Sequence, residues 1–336
     1  MESKERIKRL IAGESADRCG LWIGNPHDES WRHYFDYFGV TTQEAVRQKL
    51  GDDFRWFHPD RIAYKHPDGK PFFDKQRRHQ GLSAEGYFAD CEDLRVVEEF
   101  PWPNPDYLDF TETLEILRGF GNHYCASGMW CQFFHDVCDF FGMERYFIKM
   151  IENPQVVHAV THRVVASYLQ ANERLFAAAG DLIDGFFFGN DLGSQLNILI
   201  SPEMFDEFVL PYIRQFIRQG REHGYQIILH SCGSIHPLIP RLIGSGVDAL
   251  HPLQAKARNM SAEILAAEFK GEITFIGGID TQDLLVNATP EEVKADVRRV
   301  KTLLGPRLIV SPSHEKLLPN VPPRNLQAMC EAALEA

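Results

Sequence analysis

The chain has 336 residues, 44% of them hydrophobic and 24% charged, which is globular composition with enough length for a large core. A net charge of −12 excludes nucleic acid and anionic membranes as expected partners, because both repel an acidic surface. A small anionic substrate held in a local pocket is still compatible with that charge.

No apolar run is long enough for a membrane-spanning helix. The opening "MESKERIKRLIAG" is charged and amphipathic and lacks a signal-peptide core, so a cytoplasmic location is expected. The cysteines at 19, 91, 125, 131, 138, 232 and 330 are scattered and odd in number, which does not suggest a disulfide framework.

Along the chain, short apolar runs ending in polar residues or glycine alternate with amphipathic helical patterns. The predicted strands are "CGLWIGNPH" (19–27), "DDFRWFHPD" (52–60), "NHYCASGM" (122–129) and "IDGFFFGND" (183–191). They continue with "YQIILHSCG" (225–233), "GVDALHPLQ" (246–254), "EITFIGGID" (272–280) and "RLIVSPSHE" (307–315). Between them, Ser201 and Pro202 open a helix as N-cap and first residue. Thr289, Pro290 and Glu292 open another with a capping box, and Gly305 stops it.

Eight strands alternating with helices point to a parallel sheet, closed into a (β/α)8 TIM barrel occupying 1–336 as a single domain. Two ordinary domains are the alternative that length permits. A doubly wound open sheet would want a Gly-rich phosphate turn after an early strand, and there is none. Residues 61–112, rich in Pro, Asp, Lys and aromatics, read as an insertion after the second strand, with a small hairpin over the barrel mouth as one form it can take.

In a parallel barrel the active site is built at the carboxyl ends of the strands. Those ends read Asn190-Asp191, His230-x-Cys232, His251-x-x-Gln254, Asp280-x-Gln282 and His314-Glu315. Residues two apart in a strand face the same side, so His230 and Cys232 can share an ion. Imidazole and thiolate suit zinc, and a catalytic site needs a third protein ligand, for which His314 is the candidate. The plainer alternative is a buried, hydrogen-bonded histidine beside an inert cysteine. Asp191 can accept a proton or cap the next helix. Asp280 has the same two readings, with capping favoured. Gln254 can aim its amide into the mouth, Gln195 lies about a helical turn beyond Asp191, and His27, Asp28, Trp31 and His33 follow the first strand. In "CASGMWCQFFHDVCDFFG" the spacing is helical and rich in Phe, so a core helix is expected there and not a metal cluster.

From about Gly185 onward the chain resembles the uroporphyrinogen decarboxylase superfamily. The resemblance is carried by "GNDLGSQLNILISPEMFDEFVLPYIRQFI", "HSCGSIHPLIPRLIGSGVDALHPLQ", "FIGGIDTQDLL", "TPEEVKADV" and "VPPRNLQAM". It implies a (β/α)8 barrel. The porphyrinogen-decarboxylating branch carries Arg-Gln-Ala-Gly-Arg after the first strand. Here that place reads "WIGNPHDESWRHYF", with Arg32 alone, so that activity is not expected.

The other branch holds zinc-dependent methyltransferases that work with corrinoid proteins, and its His-x-Cys motif matches His230 and Cys232. The family's later cysteine is replaced by "SPSHEK", where His314 or Glu315 stands in. The resemblance thus implies zinc at His230, Cys232 and His314, and a corrinoid carried by a partner protein. Asp191, Gln254 and Asp280 would act on a small methyl donor or acceptor, with Asn190, Gln195, His251, Gln282 and His27 in substrate binding. It also implies a homodimer. The rival expectations are a metal-free decarboxylase or lyase working on a smaller carboxylate through Asp191 or Asp280, and a non-catalytic binding barrel.

Overall fold

The structure, a computed structural model, describes residues 1–76 and 84–336. Each predicted apolar run contains one strand. The strands are β1 (Gly20–Leu21), β2 (Phe54–Phe57), β3 (Tyr124–Ser127), β4 (Gly185–Gly189), β5 (Gln226–His230), β6 (Ala249–Leu253), β7 (Thr274–Ile279) and β8 (Leu308–Pro312). All recorded pairings are parallel, in the order β1-β8-β7-β6-β5-β4-β3-β2. Helices fill the crossovers, so the expected (β/α)8 architecture is the one observed.

The two ends of that order, β1 and β2, meet along a sparse seam. Asp53 N donates to Leu21 O (2.9 Å), and Leu21 N donates to the Asp53 side-chain Oδ2 (3.1 Å). Asp53 is itself held by Arg6 and Arg18, each at 2.7 Å. The barrel is therefore nearly closed, with a buried carboxylate completing part of the join.

Every strand is buried on both faces, which is why the strands read as continuous apolar runs. Alternation sorts the side chains into two cores. Trp22, Phe54, Tyr124, Phe187, Ile228 and Ile276 belong to a cluster inside the barrel. Ile7 and Ile11 of the first helix, Ser3–Ile11, join this cluster from one end. The intervening residues, such as Phe186, Phe188, Ile227 and Leu229, pack outward in the larger core shared with the helices. Inside such a core each large apolar side chain contributes about 1.5–3 kcal/mol by leaving water.

The expected caps are in place. Ser201 accepts from Met204 N, and Thr289 and Glu292 form a complete capping box. The cysteine-rich segment is the expected core helix, Phe133–Phe141, with Cys131 and Cys138 buried beside its phenylalanines.

The insertion expected over 61–112 is not a hairpin among the described residues. It has one isolated antiparallel bridge, Tyr64 to Leu108, a short helix Leu94–Glu99 and a turn Pro105–Tyr107. Aromatic contacts anchor it to the outer helices, Phe88 on Phe140 at 5.6 Å and Phe73 on Tyr168 at 5.2 Å between ring centres. Residues 77–83 of the insertion lie outside the described residues. No described helix is long and apolar enough to cross a membrane.

Candidate metal centre

Alternation along β5 decides which side chains reach the barrel axis. Ile228 faces inward, so His230 does too, and Cys232 follows two positions later. The chain must then turn sharply, and Gly233 does so at φ +88°. A Cβ at Gly233 would sit 2.4 Å from the Gly193 backbone, so the loops after β4 and β5 touch backbone to backbone. That contact delivers Asp191 to the end of β5, where its Oδ1 accepts from Cys232 N at 2.8 Å.

Three donors result on one edge of His230. Its Nε2 lies 3.1 Å from Asp191 Oδ1 and 3.3 Å from Cys232 Sγ. Ligand atoms of Asp191, His230 and Cys232 all fall within 4.8 Å of one another. A second group, His230, His251 and Glu315, lies on the other edge of the same ring. There His230 Nδ1 is 2.9 Å from His251 Nδ1 and 3.9 Å from Glu315 Oε2. That carboxylate oxygen is buried and has no hydrogen-bond partner.

The charges follow from this crowding. Burial works against a charged His230, yet the Glu315 charge and the bonds to Asp191 and Cys232 outweigh it and hold the imidazole well above its ordinary pKa. Burial likewise opposes ionised Asp191, but the His230 hydrogen bond and charge hold it far below the usual carboxylate range. Burial pushes the Cys232 thiol up, against the pull of His230. His251 is depressed by burial and by the charge of His230. Without metal the site is thus a His230–Asp191 ion pair beside a protonated thiol and a neutral second imidazole.

The remaining expected residues are distributed more widely. His314 stands outside both donor groups. Its Nδ1 accepts from Lys316 N (3.1 Å) and lies 3.5 Å from Glu315 Oε2, the same oxygen that stands 3.9 Å from His230 Nδ1. Gln254 Oε1 accepts from Gly233 N (2.8 Å) and meets Gln195 Nε2 at 3.4 Å, so this pair braces the turn after Cys232. Asn190 is buried, accepting from Phe134 N and donating to Cys131 O. His251 is wholly buried behind His230. Asp280 accepts from the backbone N–H groups of Gln282, Asp283 and Leu284, the capping role favoured for it. Gln282 thus meets Asp280 through its backbone. His27 caps the helix Asp28–Phe38 by accepting from Glu29 N.

Three residues absent from the sequence reading complete the surroundings. Trp130 lies across Gly189, where a Cβ would collide with its ring at 2.3 Å, and its edge meets His230 at 5.0 Å between ring centres. Asp60 accepts from Trp130 N, and His58 Nδ1 sits 3.1 Å from Asp60. His58 and Asp60 follow β2 directly, so the strand-end rule that marked His230 would have found them. Trp130 has no such signal, because it enters from a loop. Trp130, Gln132, His135, Gly189 and Asp191 enclose a small cavity of about 70 Å³ beside the donors.

One imidazole, one thiol and one carboxylate within reach of a common point make a donor set that fits zinc, and the small cavity beside Asp191 leaves room for a further ligand.

The uroporphyrinogen decarboxylase (URO-D) family profile matches residues 139–336. Over 141 residues the chain is 30% identical to a methylated-thiol–coenzyme M methyltransferase of Methanosarcina mazei, covering 42% of this chain and 35% of that one. The chain thus spans about a third of the length of the curated relative it matches. A solved methyltransferase from Methanosarcina mazei shares the fold, with a TM-score of 0.70 over 99% of this chain and 98% of that one, at 16% identity.

Proposed function

The chain belongs to the uroporphyrinogen decarboxylase family, and from that premise we propose that it is a zinc-dependent methyltransferase. It moves a methyl group between a small heteroatom substrate and a corrinoid borne by a separate protein. The observation that carries this reading is the convergence of His230, Cys232 and Asp191 at the carboxyl ends of β4 and β5. The similarity to a methyltransferase over part of the chain supports it.

In this reading His230, Cys232 and Asp191 hold the ion, with Glu315 or His314 as the further candidate. Zinc, when bound, supplies Lewis acidity to a substrate heteroatom. The protein supplies the rest. Asp191, released from its ion pair with His230, becomes a ligand or a proton acceptor. Gln254 and Gln195 keep the turn after Cys232 in place, so the thiol and imidazole hold their mutual position. Trp130 shields one side of His230 from water. A set with one thiolate is harder than one with two, so methylated oxygen and nitrogen compounds join methylated thiols as substrates to assay. The homodimer implied by the family is part of the same proposal.

Metal content of the purified protein tests the reading. About one zinc per chain is expected in the wild type, lost in Cys232→Ala and in Asp191→Asn. Retention in His314→Ala would leave Glu315 as the candidate for the further position, and loss there would assign that position to His314. A wild type that takes up no zinc, even when zinc is added back, overturns the proposal and favours a metal-free lyase.

A further inference from the structure

A zinc site at His230 requires one particular ring nitrogen to be bare. Asp191 and Cys232 gather at Nε2, at 3.1 Å and 3.3 Å, so Nε2 is the nitrogen that must carry a lone pair. A neutral imidazole bare at Nε2 keeps its proton at Nδ1. His230 Nδ1 lies 2.9 Å from His251 Nδ1, a separation that one shared proton fills. Two lone pairs facing each other there would repel, as would two N–H groups. One ring therefore donates and the other accepts.

The barrel interior decides between them. His251 is fully buried, and its Nε2 has no hydrogen-bond partner. Its ring is flanked by Trp22 at 5.0 Å and 56° and by Phe187 at 5.4 Å and 86°. Among aromatic faces an N–H group is a weak donor, whereas a bare nitrogen sets its lone pair against electron-rich rings. The proton of His251 therefore stays at Nε2, and its Nδ1 is left bare. The usual partner for a ligand histidine is a carboxylate or a carbonyl. Glu315 is the carboxylate nearest that edge, and 3.9 Å is too far for a hydrogen bond.

We propose that His251 is a positioning residue, its bare Nδ1 accepting a hydrogen bond from the Nδ1–H of His230 so that Nε2 is presented bare to the metal seat. Trp22 and Phe187 thereby influence, through His251, which nitrogen of His230 is free to bind. This inference rests on the zinc reading of the site, and its test separates the two.

Nitrogen chemical shifts of histidine-labelled, metal-free protein at neutral pH give the tautomer directly, with a His251→Asn variant to assign the resonances. His251 is expected bare at Nδ1, and a proton found there overturns the proposal. Zinc affinity, measured against a competing chelator, is expected to fall about 10–100-fold in His251→Phe, which keeps a ring but offers no acceptor. His251→Asn places an amide oxygen near the former Nδ1 and should restore most of the loss. The thiolate-to-metal band of the cobalt-loaded Phe variant should persist, showing that Cys232 still binds. Equal loss in both variants, or none in either, overturns the proposal. If the wild type takes up no zinc the metal reading falls, and the nitrogen shifts alone decide whether His251 is the acceptor.

Discussion

His230 meets a carboxylate, a thiol and a second imidazole, each within 3.3 Å. Protons and metal therefore compete for the same atoms. In the metal-free protein His230 is held above its ordinary value of 6.5, so its ion pair stabilises fully below that pH and loses its contribution as pH rises through the higher folded value. Asp191 is held below its ordinary 3.8, so its contribution is present above that pH and is lost as pH falls through the lower folded value. His251 runs the other way from His230. Its depressed value means that keeping it neutral costs stability once pH drops below 6.5. Metal binding needs bare His230 and ionised Cys232, so zinc affinity should rise with pH. Calorimetry in two buffers of different ionisation enthalpy should show about two protons released per ion near neutral pH. No release would mean that neither group is a ligand.

At the scale of the element, β5 joins the inner core to the site on one face of one strand. Ile228→Ala should cost about 2–5 kcal/mol in urea unfolding, through a cavity directly beneath His230, and should weaken zinc binding as well. The turn is as exposed to change. Gly233→Ala forces a side chain into both a left-handed conformation and the Gly193 backbone. It should cost about 1–3 kcal/mol by denaturation and separate Cys232 from Asp191, reducing metal content. The strands, their ends and the His230–Cys232 pair are legible in the sequence because each strand is buried on both faces, and each apolar run stops where the mouth begins. Asp191 is legible as a strand-end residue but not as a partner of Cys232. Its delivery depends on two loops touching through Gly193 and Gly233, a contact between distant glycines that no spacing rule encodes. Trp130 is hidden for the same kind of reason. In the sequence it is one aromatic among many, and only the bare backbone of Gly189 shows where its ring lies.

At the scale of the whole molecule, a ligand that binds only the folded chain stabilises all of it. Saturating zinc at 100 times its Kd should add about 2.7 kcal/mol. Thermal unfolding of the wild type should therefore shift upward with zinc and downward with a chelator, while Cys232→Ala should ignore both. The seam between β1 and β2 adds a consequence of a mechanical kind. Elsewhere neighbouring strands are stitched by backbone ladders, but here a carboxylate, Asp53, stands in for part of the ladder and is clamped by Arg6 and Arg18. The barrel thus has a built-in latch, and the latch is ionic. Asp53→Asn should leave the strands intact yet let the wall breathe along this one line, with faster amide exchange at Leu21 and Asp53 than at any residue of β4 or β5. The end of β5 lies across the barrel from that line, so His230, Cys232 and Asp191 stay still while the far wall opens.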